Sequence, residues 1–555
     1  TISTQETSAP TPTTTEIGDT AIDELFDAGN FGFNFAMFAG GADDFEEPRH
    51  YDDAWNNPNP DEQTKWRKAI NKEFRDMETR KVWKIIKRSK SPEGRRCVKN
   101  RWVWKIKRDG TFRARLVACG YSQIPGVDYD ENFAPVINDT TYRILLIVMI
   151  LWDLKGVIAD VETAFLHGDL EHEIYMDIPK GLNAKDDECC LLQKTIYGLV
   201  QSARQFYKKL VKVLKILGFH GGYADPCLMT RRNQLGVVFI ALYVDDCLCI
   251  GNDKAIKDLV HGMETQGFTM KIDEELTDYL SCQIVFSDDK TKLWIGQPHL
   301  IKNLDKKFLS KVKGLQRYRT PGTPGVGVTR PKQDTQASLL LNDEEQSLYR
   351  SGVGMLLFLV KHTRPDIANP VRELSKVMDG ATIAAMKELL RVSKFVLDTK
   401  DHGLIVKPKK PDGKSWDLVM YTDSDYAGDK DCRISVTGYI LYLCEVAISW
   451  KSKGQKSVTL SSSEAEFVAL SEAAKEIKFV AQILMSMGIP VQLPIVVRVD
   501  NIGAIFMAEN VTTSTRTRHV DVRYHFVREF VEEGFIRIVF VRTTENKADI
   551  FTKNV

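Results

Sequence analysis

The chain has 555 residues, 43% of them apolar and 27% charged, a composition ordinary for globular domains and a length suited to three or four of them. Its 76 basic residues balance 75 acidic ones to a net charge of +1, which excludes polyanion binding by overall charge and leaves it to local patches. No apolar run reaches the roughly 20 residues that a membrane span needs, so no membrane partner is expected. Ten cysteines are scattered without a C-x₂-C repeat, and Cys189 and Cys190 are adjacent, which makes reduced thiols in an intracellular compartment the expectation. The first residue is Thr and no signal peptide is visible, as expected of a piece of a longer precursor.

Residues 1–50 are rich in Thr, Ser and Pro and then acidic, with ten Asp or Glu against the single Arg49. Such a composition cannot bury a core and reads as a disordered linker. Trp55 opens a helical pattern that continues through Trp66, Ile70, Phe74 and Met77. Strands are expected around residues 82–86, 102–106 and 115–118, with a turn at Asp109-Gly110. Residues 80–115 carry 15 Lys or Arg and only two acids, Glu93 and Asp109, interleaved with Trp83, Trp102, Trp104 and Phe112. Cations among aromatics suit phosphate backbones and stacked bases, against the plainer reading of a solvated basic hairpin.

The apolar run at residues 144–151 reads as a core helix. The next strand, Gly156-Val157-Ile158-Ala159-Asp160, leads straight into an aspartate. A second apolar run, residues 237–244, ends in Tyr243-Val244-Asp245-Asp246 and resumes at Cys247. Two aspartates between buried strands are costly unless a turn exposes them or a cation neutralises them. A hairpin with Asp245 and Asp246 at its tip, beside a strand carrying Asp160, supplies the rigid carboxylates that two-metal catalysis requires. Phe165 follows five positions after Asp160, where a ring under the sugar of an incoming nucleotide would block a 2′-hydroxyl.

Tyr279-Leu280-Ser281-Cys282-Gln283 reads as another hairpin, and a helix-rich stretch starts at His299. Thr320-Pro321-Gly322-Thr323-Pro324-Gly325 is a hinge or loop, and helices from Leu348 and Ala381 carry the chain to Lys400. A strand-rich unit begins near Trp416. Its strands at residues 418–423 and 494–500 end in Asp423 and Asp500. Ser461 reads as the N-cap of a helix with Glu464 and Glu466 in its first turns, and Asp549 is expected to open a last helix.

Together these blocks resemble the reverse transcriptase–ribonuclease H region of copia-type (Pseudoviridae) LTR-retrotransposon polyproteins. Carrying the resemblance are Arg113-Ala114-Arg115-Leu116-Val117-Ala118 with Gly120-Tyr121, Phe133-Ala134-Pro135-Val136 and residues 160–170. Ile174-Tyr175-Met176, Tyr197-Gly198-Leu199, Tyr243-Val244-Asp245-Asp246 and Thr363-Arg364-Pro365-Asp366-Ile367 follow. Ser461-Ser462-Ser463-Glu464-Ala465-Glu466, Arg518-His519-Val520-Asp521 and Ala548-Asp549-Ile550-Phe551-Thr552-Lys553 complete the series.

The resemblance implies an α+β multidomain fold, a right-hand polymerase of fingers, palm and thumb followed by a ribonuclease H-like α/β domain with a mixed sheet. The boundaries expected are a linker over 1–50, fingers and palm over 51–297, thumb or connection over 298–415 and ribonuclease H over 416–555. It implies RNA- and DNA-templated DNA synthesis with cleavage of the RNA strand of a hybrid, each site holding two Mg²⁺ with Mn²⁺ as a substitute. At the polymerase site Asp160, Asp245 and Asp246 are the catalytic acids, with the Val161 carbonyl as a further metal ligand. Arg113, Arg115, Phe165, Tyr197, Gly198 and Tyr243 contact nucleotide or primer–template, with Lys105 and Lys107 as weaker choices. At the second site Asp423, Glu466, Asp500 and Asp549 hold metal, and Glu466 is preferred over Glu464 because the Glu-x-x-Ala spacing to Ala469 fits the ribonuclease H pattern.

Expected partners are an RNA template, a DNA primer, the RNA–DNA hybrid, dNTPs, a tRNA or other primer, integrase and a particle coat protein. The expected location is a cytoplasmic virus-like particle, with nuclear entry of the product complex. The chain departs from the family at Val200, where Lys is usual, and Ala203, where Pro is usual. The loop after Val541 also lacks the histidine that some ribonucleases H use, leaving His519 or His525 to replace it. Rival readings are a group II intron or telomerase-like reverse transcriptase, and a decayed or host-adopted retroelement protein that binds nucleic acid without catalysis.

Overall fold

The computed structural model describes residues 47–107, 110–332, 335–510 and 518–554. The expected linker up to residue 46 and Asp109 of the expected turn lie outside them. The chain divides into two compact units, Thr1–Val136 with Thr163–Leu210 and Ile137–Glu162 with Val211–Val555.

In the first unit, the helical pattern from Trp55 is broken in two, Tyr51–Trp55 and Pro60–Thr79. Asn59 caps the second helix by accepting from the Asp61 and Glu62 amides, and Pro60 sits where its missing N–H costs nothing. Trp66, Ile70 and Met77 recur along one face and are buried. They pack on the hairpin Asn100–Ile106 and Phe112–Ala118, where Trp66 meets Trp104 and Phe112 edge to face at 5.5 and 4.7 Å. Strand alternation then leaves Arg101, Lys105, Arg113 and Arg115 on the opposite face, less buried. The buried Glu73 accepts from the Leu116 amide at 3.1 Å, and burial pushes its carboxyl up to about 7. Strands Trp83–Lys87, Glu188–Leu192 and Tyr175–Met176 form a separate three-stranded sheet.

The second unit contains a six-stranded antiparallel sheet in the order Met270–Asp273, Lys155–Val161, Asp246–Gly251, Gly236–Tyr243, Leu228–Asn233, His220–Gly221. Residues 144–151 fall in the helix Asp139–Leu151, which is buried along most of its length. The 279–283 hairpin is present, with Leu280 and Ser281 at φ 51° and 62° as the two turn residues between Tyr279 and Cys282. Helices Pro298–Val312, Asp343–His362, Ala368–Ser375 and Ile383–Asp398 follow, while 320–325 has no regular structure. A five-stranded mixed sheet ends the chain in the order Val446–Gly454, Val436–Leu443, Leu418–Asp425, Ile495–Val499, Ile536–Phe540. Its first three strands are antiparallel and its last two join in parallel.

This mixed sheet is fastened to the helix Asp139–Leu151 by Arg143, which is 4% exposed. The guanidinium donates to the carbonyls of Ile448 at 2.9 Å and Lys361 at 2.5 Å and lies 3.9 Å from the Trp450 ring centre. Trp450 in turn donates to the Val360 carbonyl at 2.8 Å. Glu476 accepts from Thr140 and Ser449 at 3.3 and 2.7 Å. Buried charge-assisted bonds of this kind hold their elements in one arrangement. All ten cysteines are free. No described helix is long and apolar enough to cross a membrane.

Candidate active sites

The first carboxylate set is placed by strand register. Asp246 lies directly opposite Asp160 across the antiparallel pair and opposite Tyr243 across the hairpin. Val244 and Asp245 are then the two-residue turn between Tyr243 and Asp246, and the Val161 amide of the neighbouring strand donates to the Asp245 carbonyl at 3.2 Å. Val244 has φ 56°. A β-branched residue is a steric outlier there, at a cost of about 1–3 kcal/mol that must be made up elsewhere. Like charges directly opposite on neighbouring strands repel. Burial, then Asp245 and Asp160, push the Asp246 carboxyl up to about 7. Burial and the nearby Asp139 and Asp246 push the Tyr243 hydroxyl up to about 12. The Val161 side chain is buried.

The predicted nucleotide contacts of the first unit cluster among themselves. Phe165, in the turn Ala164–His167, is 6% exposed and packs edge-on against Tyr197 at 5.1 Å and Phe206 at 6.3 Å. The Arg115 guanidinium lies 4.7 Å over the Tyr197 ring, and Arg113 is opposite Lys105 in the hairpin. Gly198 has φ 85°, and a Cβ there would come within 2.2 Å of the Ala118 carbonyl oxygen. The glycine is therefore required for the loop to cross the hairpin. The Val200 backbone amide donates to Gln123 at 2.8 Å, and Gln123 donates to Gln201 at 3.1 Å. Ala203 lies in the first turn of the helix Ser202–Ile216.

The second set is tighter. Leu418–Asp425 and Ile495–Val499 run parallel with Tyr421 beside Arg498, and the same register continued puts Asp500 level with Asp423. Ser461 caps the helix Ser462–Ser486 by accepting from the Glu464 amide, and the two acids of its first turns face different ways. Glu464 is part-exposed and accepts from the Leu460 amide at 2.7 Å. Glu466 is 6% exposed and accepts from the Ser424 amide at 3.1 Å.

Ligand atoms of Asp423, Glu466 and Asp500 lie within 4.8 Å of one another. This is the one such group among the described residues; the first set is not drawn together so closely. Oxygen-bound divalent ions sit about 2.0–2.6 Å from each ligand, so atoms up to about 5 Å apart can share one. A second oxygen of Glu466 is buried with no hydrogen-bond partner, which fits a cation ligand. Burial, then Asp423 and Asp500, push Glu466 up to about 8. Burial raises Asp423 to about 6, opposed by Lys553 and the Thr552 hydroxyl.

Asp549 does not open a helix: it starts the single 3₁₀ turn Asp549–Phe551. Buried Phe551 and the close approach of the turn to Gly438 leave no room for a longer element. Thr552 and Lys553 went unassigned in the sequence, yet both reach the acids. Thr552 donates to Asp423, and the Lys553 ammonium lies 2.5 Å from Asp549 and 3.7 Å from Asp423. The i,i+4 spacing of Asp549 and Lys553 was the available signal. His525 is exposed, and the side chain of His519 lies outside the described residues.

Residues 80–312 match the family described as reverse transcriptase (RNA-dependent DNA polymerase). The chain is 34% identical over 520 residues to the retrovirus-related Pol polyprotein from transposon TNT 1-94 of Nicotiana tabacum, covering 92% of this chain and 38% of that one. It is 34% identical over 498 residues to the corresponding polyprotein from transposon RE1 of Arabidopsis thaliana, covering 88% and 33%. The chain thus spans about a third of the length of these curated relatives. Among solved structures, a foamy viral protease–reverse transcriptase in complex with double-stranded DNA aligns with a TM-score of 0.44 and 13% identity, over 97% of this chain and 84% of that one.

Proposed function

The chain belongs to the copia-type retrotransposon Pol polyproteins and carries their reverse transcriptase domain, and from that premise we propose that it copies RNA into DNA at one carboxylate set and cleaves the RNA strand of the hybrid at the other. The carrying observation is register: Asp246 opposite Asp160 in one sheet, and Asp500 level with Asp423 beside Glu466 in another.

In this reading residues 51–297 supply fingers and palm, 298–415 thumb or connection, and 416–555 a ribonuclease H domain. Asp160, Asp245, Asp246 and the Val161 carbonyl would hold divalent metal at the polymerase site, and Asp423, Glu466, Asp500 and Asp549 at the second, with Mg²⁺ as the proposed ion. Bound there, such ions lower the pKa of an attacking hydroxyl or water and neutralise charge on the phosphate. The protein's own contribution is positioning. Arg113 and Arg115 are the proposed phosphate contacts, Tyr197, Gly198 and Tyr243 contact the primer–template, and Phe165 discriminates against a 2′-hydroxyl. At the second site the A-like shape and 2′-hydroxyls of RNA would select the strand to be cut. The proposed setting is a cytoplasmic virus-like particle, with template RNA, primer, dNTPs and the other products of the polyprotein as partners.

The test is Mg²⁺-dependent extension of a DNA primer on a labelled RNA template, read for RNA cleavage in the same tube. Extension with cleavage is expected. Neither activity, from a folded chain that still binds the hybrid, would overturn the proposal.

A further inference from the structure

Lys553 is a partly exposed lysine whose backbone is anchored on both sides. The turn that carries it is pinned on one side by the Asn546 side chain donating to the Thr422 carbonyl at 3.0 Å and by Phe551, fully buried. On the other side Asn554 donates to the Val326 carbonyl and accepts from Asn369, both at 2.8 Å. Between these anchors, Thr552 donates to Asp423 and the Lys553 ammonium faces Asp549 and Asp423. The acids are thereby divided. Asp423 and Asp549 already face a cation of the chain itself, while Glu466, a member of the Asp423–Glu466–Asp500 group, keeps one buried oxygen with no hydrogen-bond partner.

We propose that Lys553 is a built-in cation of the C-terminal site. Its ammonium neutralises the Asp423–Asp549 side, so the Asp423–Glu466–Asp500 side takes one divalent ion tightly and a second enters only by displacing the ammonium. Lys553 is thus a positioning residue that sets the metal demand of RNA cleavage, an inference that rests on reading these acids as a metal site. An ammonium on a flexible stem suits this role, since it can leave a carboxylate without disturbing the backbone.

The test counts Mn²⁺ bound per full-length chain by electron paramagnetic resonance in the wild type, Lys553→Met and Lys553→Arg. The Mg²⁺ dependence of hybrid cleavage and of DNA synthesis is measured alongside. Lys553→Met should bind one more Mn²⁺ than the wild type, and adding Asp549→Asn should remove it. Its half-saturating Mg²⁺ for cleavage should fall about tenfold, a change near 1.4 kcal/mol, while that for synthesis stays put. Lys553→Arg, which keeps the charge, should keep the wild-type Mn²⁺ count. Equal counts and equal Mg²⁺ midpoints for wild type and Lys553→Met would overturn the proposal. If the Met variant does not fold, Lys553→Gln provides the same comparison. A wild type that cuts no hybrid would instead defeat the reading of the site, and the Mn²⁺ count would still decide the role of Lys553.

Discussion

The two carboxylate sets solve the same electrostatic problem differently. Asp245 and Asp246 sit half-buried at a strained hairpin tip, and half-buried Asp160 faces Asp246 from the neighbouring strand. Asp423, Glu466 and Asp500 converge from two parallel strand ends and a helix, with a lysine of the chain at their side. Ligand atoms of the second set lie within 4.8 Å of one another, and those of the first are not gathered so closely. Burial first, and then the neighbouring Asp423 and Asp500, push Glu466 up to about 8.

The largest expected effect separates the two acids of one helix. Glu466→Gln should slow hybrid RNA cleavage about 10²–10⁴-fold, as expected for loss of a metal ligand worth several kcal/mol. Glu464→Gln should change it by less than about threefold, as for an outward-facing acid. Cleavage rates on a labelled hybrid decide this, and equal losses would show that the cluster is not the site.

Next comes the fastening between the regions. Arg143→Ala strands the Ile448 and Lys361 carbonyls and should cost about 3 kcal/mol in denaturant unfolding. It should also split a shared transition into two if Arg143 couples the mixed sheet to the six-stranded one. A single transition of unchanged midpoint would mean the contact is incidental.

The acids also predict a pH dependence. Glu466, Asp423 and Asp246 have folded pKa values of about 8, 6 and 7, above those of the unfolded chain. Between the unfolded and folded values the native state binds more protons, so stability without divalent metal should fall as pH rises from about 4 to 8. Glu466→Gln should flatten the upper part of that slope, and Mg²⁺ should flatten it in the wild type. Thermal midpoints across pH, with and without chelator, measure both.

The smallest effect is at the hairpin. Val244→Gly should relieve the positive φ and raise stability by about 1 kcal/mol, while loosening the turn that carries Asp245 and lowering synthesis. A fall in stability would show that Val244 packing outweighs its strain.

The strands that carry the acids are legible in the sequence because apolar runs ending in acids are local signals. The choice of Glu466 over Glu464 came from the spacing to Ala469, and the structure brings Glu466, not Glu464, to Asp423. What escaped was non-local. Lys553 reaches Asp423 across 130 residues through a turn whose geometry depends on Gly438, and a lysine after Thr552 reads as ordinary surface. The turn itself reads as a helix in the sequence because Ala548-Asp549 looks like a helix start, and only tertiary packing cuts it short. Arg143 was missed because a lone arginine in an apolar helix discloses no partner until distant carbonyls arrive.

Whether one chain holds two independent sites is tested most directly by crossing two substitutions. Asp245→Asn and Asp500→Asn would be assayed on one primer–template, with the DNA and RNA strands separately labelled. Asp245→Asn should abolish DNA synthesis and keep RNA cleavage; Asp500→Asn should do the reverse. Synthesis that survives Asp245→Asn, or cleavage that survives Asp500→Asn, would contradict the account.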